Sequence, residues 1–202
     1  MNEKRKEEII LATLKLASEK GLGAVSMNMI ASEIGIKKPS LYNHFKSKEA
    51  LISETYLFLR NNAQKQTNTQ MDFAIFENKS AYPILSFLVK NYISIVNEKN
   101  MQTFYKVIYS DRSVSKESAK ILVAESDKMI NATKQIFTVL KEKKLLEFEN
   151  VEISAMSFAL NVRSFIDYSL DKSFSHNDKP TIDIDLINSF IENFCNEHKI
   201  KD

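Results

Sequence analysis

An all-α fold, with a small N-terminal domain followed by a larger helical one, is the class this sequence predicts, and three observations carry it. Gly and Pro, which interrupt helices, occur only three times each in 202 residues. Apolar residues recur three and four positions apart through most of the chain, the spacing of one helix face. Charge is uneven: residues 1–65 hold 11 Lys and Arg against 7 Asp and Glu, a balance of +4, whereas residues 66–202 hold 17 against 19, a balance of −2. The basic excess is densest from Lys37 to Lys48. A local basic patch on a near-neutral chain suits a polyanion docking at one end.

Composition narrows the classes further. A hydrophobic content of 44% supports a substantial core. Cys195 is the single cysteine and forms no internal disulfide, as expected of a reducing compartment. The opening "MNEKRKEEIILATLKLASEKG" sets basic residues before an apolar run, but Lys15, Glu19 and Lys20 interrupt it. No run approaches the roughly 20 apolar residues of a membrane span. The expectation is a soluble cytoplasmic protein with no membrane partner. His44, His176 and His198 stand far apart with no partner pattern for a nucleophile or a metal, and there is no phosphate-binding glycine loop. No catalytic residue, metal or cofactor is expected, and the chain is not read as an enzyme.

The elements follow in order. A first helix is predicted from about Lys4 to Lys20, with Ile10, Leu14 and Ala17 on one face, ending at Gly21. Ser26 caps a short second helix, Met27 to Ile34, with Ile30 and Ile34 inward and Asn28 and Ser32 outward. Gly35 supplies a turn, and Pro39 begins a third helix ending at Phe45. At about 100° per residue, Leu41 and Phe45 lie about 40° apart and define its buried side, while Ser40 and Asn43 point away and Tyr42 and His44 flank them. Ser47 caps a fourth, longer helix.

Two short helices joined by a tight turn, the second exposing small polar residues between aromatic and basic ones, describe a helix-turn-helix. Ser40 and Asn43 are short enough for a major groove and polar enough to bond base edges. Tyr42, His44, Lys46 and Lys48 stand where phosphates would lie. Asn28, Lys37, Lys38 and Pro39 complete the candidate DNA-binding set. The Lys4, Arg5, Lys6 cluster reads as a solvated helix start that adds nonspecific attraction.

The run from Ile10 to Leu51 resembles the DNA-binding domain of the TetR/AcrR family of tetracycline-repressor-like regulators. Three pieces carry the resemblance: "IILATLKLASEKG", "VSMNMIASEIGI" and, most specifically, "KKPSLYNHFKSKEAL". Asn28, Met29 and Lys37 depart from the family's usual residues at positions bearing on base preference, and Ala17 and Leu22 stand where aromatics are common. The resemblance implies that residues 1–50 form a helix-turn-helix DNA-binding domain and residues 51–202 a helical effector-binding and dimerisation domain.

The remainder itself reads as helical, through "YPILSFLVKNYISIVNE", "NMQTFYKVIYSD", "SKESAKILVAESDKMINATKQIFTVLKEKKL", "VEISAMSFALNVRSFIDYSLDK" and "IDIDLINSFIENFCNEHK". "QTNTQMDFAIFENKSAYP" is read as a link and "SFSHNDKPT" as a polar loop. The last two helices are expected to pair two copies, through Ala155, Phe158, Val162 and Phe165 on one and Ile187, Phe190, Ile191 and Phe194 on the other. The Val151 to Lys172 helix carries a second apolar set, Ile153, Met156 and Leu160, so two of its sides call for cover.

By the same resemblance some aromatic core should line an effector pocket. The candidates are Phe104, Tyr105, Ile108 and Tyr109 on one helix and Leu122, Ser126, Met129, Ile130 and Phe137 on another. Arg163 is either an anchor for an anionic effector or the partner of Asp167 at i, i+4. The expectation is a DNA-binding transcription regulator, a repressor released by a small apolar or amphipathic effector, binding double-stranded operator DNA as a homodimer. The alternatives are an activator, and a helical ligand-binding or interaction protein acting without DNA, which would leave the Lys37 to Lys48 patch unused.

Overall fold

Ser26, Gly35, Pro39 and Ser47 place the breaks between the first helices. The computed structural model describes residues 3–67, 79–176 and 178–200, without the side chains of 66 and 67. Its helices are α1 (Glu3–Lys20), α2 (Met27–Glu33), α3 (Lys38–His44), α4 (Lys48–Thr67), α5 (Ala81–Val96), α6 (Lys99–Asp111), α7 (Lys116–Glu142), α8 (Val151–Ser175) and α9 (Ile184–Glu197), with a 3₁₀ turn at Leu22–Ala24. No strand occurs among the described residues. Most of the predicted link after α4, residues 68–78, lies outside them, as does residue 177 of the predicted polar loop.

Local chemistry explains the boundaries. The Met29 N–H donates to Ser26 Oγ (3.3 Å) and the Ala50 N–H to Ser47 Oγ (3.1 Å), satisfying donors that a helix start leaves open. After α2 the Ile36 N–H bonds the Ala31 carbonyl (2.9 Å) while Gly35 sits at φ 67°, the left-handed closure glycine favours. Nothing crowds Gly35, so its backbone angle is what calls for glycine. The third helix begins one residue before the proposed Pro39, at Lys38, because a proline in the first turn gives up an N–H with no helical acceptor. Later starts repeat the device: Glu98, Asn150 and Asp183 accept from the N–H groups of Met101, Glu152 and Ile153, and Leu186.

The chain divides into two compact units, neither a continuous run: Met1–Thr69 with Ile93–Ala124, and Gln70–Tyr92 with Glu125–Asp202. In the first, α1 packs on α2, on α6 and on the 3₁₀ turn, α2 on α3, and α4 on α6. Ile9, Ile10, Ile30, Leu41, Leu51, Met101 and Ile108 are fully buried there. Thr13, Leu14, Ala17, Leu22, Ile52, Thr55, Phe104 and Val107 surround a gap of only about 10 Å³.

In the second unit α8 and α9 pack together around phenylalanine rings. Phe158 lies 4.9 Å from Phe194, 5.3 Å from Phe190 and 5.5 Å from Phe137, centroid to centroid. Phe137 stacks on Phe148 at 4.5 Å. The cluster is closed by His198, whose ring stacks on Phe194 at 4.1 Å and whose carbonyl accepts the Glu147 N–H at 2.8 Å.

Most of the residues expected to pair two copies are packed within the unit. Ala155, Phe158, Val162, Ile187, Ile191 and Phe194 are buried inside the unit, and Phe165 and Phe190 are half-buried with rings 5.1 Å apart. The other apolar set of α8 is the one left outside: Ile153, Met156 and Leu160 are 60%, 44% and 38% exposed.

Candidate nucleic-acid interface

The outward side of the helix-turn-helix gathers most of the predicted DNA-binding residues. Leu41 is fully buried and Phe45 nearly so, which turns Ser40, Tyr42 and Asn43 to solvent beside Lys37, Lys38 and Pro39. Lys38 Nζ lies 5.8 Å from the centroid of the Tyr42 ring, so cation and ring steady one another on one side of α3. Asn28 is exposed on α2, and Lys46 is exposed just past α3. His44 is half-buried, with its Nδ1 enclosed and without a hydrogen-bond partner.

Lys48 is placed differently from the rest. Its side chain turns inward, and Nζ donates to the Leu22 carbonyl at 2.5 Å. Beside it the Glu49 carboxyl is held below the usual range, chiefly by a hydrogen bond from its own backbone N–H and then by Ser47, which completes the start of α4. Two further lysines are engaged within this unit: Lys6 pairs with Glu54 (2.6 Å) and Lys15 with Glu33 (2.7 Å). Arg5 pairs with Glu8 at 2.7 Å. The three lysine ties escaped the sequence reading because partners 48, 18 and 26 positions apart leave no periodic trace.

The proposed pocket residues are spread over both units. Phe104, Tyr105, Ile108 and Leu122 are buried in the first, with the Phe104 ring 6.2 Å from Tyr56, while Tyr109 faces the Arg112 guanidinium at 5.0 Å. Met129 and Phe137 are buried in the second, Phe137 inside the aromatic cluster, and Ile130 is half-buried. One pair is brought together: Arg163 donates to the Ser126 hydroxyl. Burial at Cys195 pushes its thiol up to about 11. Among the described residues no group of three or more His, Cys, Asp or Glu is placed to hold a metal ion, and no helix is long and apolar enough to cross a membrane.

Comparison with known proteins agrees with this architecture. A family model for bacterial regulatory proteins of the tetR family matches residues 9–55, the span from α1 into α4. The chain is 44% identical over 75 residues to the uncharacterised HTH-type transcriptional regulator YerO of Bacillus subtilis, covering 37% of this chain and 26% of YerO. It is 35% identical over 52 residues to the class C tetracycline repressor protein of Escherichia coli, covering 26% of this chain and 24% of the repressor. The chain thus spans about a quarter of the length of these two relatives. With IcaR of Staphylococcus aureus, the HTH-type negative transcriptional regulator of the biofilm operon icaADBC, identity is 28% over 188 residues, covering 83% of this chain and all of IcaR.

Among solved structures, the flavonoid-responsive regulator FrrA superposes with a TM-score of 0.74 at 19% identity, covering 99% of this chain and 100% of FrrA. GusR of Salmonella enterica gives 0.69 at 18%, covering 95% of each. At such identities the likeness is one of fold. The helix-turn-helix geometry, the motif match through α1 to α4 and the full-length likeness to IcaR converge: residues 9–55 are similar to bacterial regulatory proteins of the tetR family.

Proposed function

We propose that the chain is a sequence-specific DNA-binding transcription repressor that acts on double-stranded operator DNA as a homodimer and is released by a small apolar or amphipathic effector. The observation that carries this reading is the outward side of α3, where Ser40 and Asn43 stand exposed between Tyr42 and the cations Lys37 and Lys38. Short polar side chains read base edges, and flanking cations meet phosphate. The name of IcaR, a negative regulator matched along its whole length, supports repression. For the homodimer, the exposed set Ile153, Met156 and Leu160 at positions i, i+3 and i+7 of α8 forms a seam that a second copy would cover.

Selection of bound duplexes from a randomised pool, followed by titration of the enriched duplex, tests the reading. The enriched sequence should be an approximate palindrome, with half-site centres separated by roughly 34 to 36 Å or a multiple. Asn43→Ala should relax preference at one position of each half-site and cost roughly 1 to 3 kcal/mol of specific binding. Failure to enrich any sequence would defeat the proposal.

A further inference from the structure

We draw no further inference here: the strongest candidate, the surface patch that Ile153, Met156 and Leu160 expose along α8, belongs to the pairing surface already proposed, and nothing in the structure shows what covers it.

Discussion

The two units of this chain set their helix angles by different chemistry. In the first, α2 and α3 are seven residues each and bury few side chains, and directional polar ties join the elements: Lys6 to Glu54, Lys15 to Glu33, Lys48 to the Leu22 carbonyl, Ser53 to Glu117. In the second, α8 and α9 run to 25 and 14 residues and meet over phenylalanine rings. Area and volume hold the long helices, whereas the short ones, which cannot bury enough, rely on contacts with a defined donor and acceptor. Packed phenylalanine rings present no charge for salt to screen, whereas the ion pairs of the other unit weaken as salt rises.

The largest expected effect lies in the aromatic unit. Phe158 is fully buried among Phe137, Phe190 and Phe194, so Phe158→Ala should cost about 3 to 5 kcal/mol in denaturant unfolding. A loss below about 1 kcal/mol would mean that the rings repack freely, and the contrast would break there.

A smaller effect is expected in the polar unit. Ser26→Ala removes the acceptor of the Met29 N–H and should cost about 1 kcal/mol. Hydrogen exchange should show faster opening of α2 with the protection of α9 unchanged; equal loosening of both would erase the distinction.

The smallest effect is one of pH. A hydrogen bond to Glu33, then the charges of Glu33 and Glu19, raise the Lys15 pKa above its ordinary value. Because the folded value is the higher one, the stability this pair lends is fully present below the ordinary lysine pKa and is lost as pH rises through the folded value. Both partners are partly exposed, so the contribution is small. Lys15→Gln should flatten the alkaline limb of the melting-temperature curve slightly, a change that Phe158→Ala should not reproduce.

Much of the first unit was legible because its boundaries are written in local chemistry. Ser26, Gly35, Pro39 and Ser47 mark caps and turns whose geometry depends on one or two residues, and α2, α3 and α4 begin within one residue of those marks. The exposed side of α3 follows from Leu41 and Phe45 alone. What covers each side of α8 was not legible, because Ala155, Phe158 and Val162 and the neighbouring Ile153, Met156 and Leu160 are both apolar at helical spacing. Periodicity finds a face without saying what covers it. Phe158 meets Phe190 and Phe194, so within the unit α9 packs on the Phe158 side of α8. The inward turn of Lys48 was equally hidden, since a lysine reaching a backbone carbonyl 26 positions away depends on the finished fold.

If α3 reads DNA as proposed, its length bears on how much an operator has to say. Seven residues make a rod of about 10 Å, which spans roughly three base-pair steps. Three base pairs recur by chance about once in 64 positions, against roughly 10⁶ to 10⁹ competing sites in a genome. Two such readings multiply to about one in 4,000, still far short of a unique address. On the proposed DNA-binding reading, the missing information would be written at base pairs that α3 never reaches, in contacts of flanking residues such as Asn28 and Lys37 and in the stiffness of the intervening duplex. On that reading a two-turn reader would put a lower bound on operator length, and part of that operator would be spelled in shape.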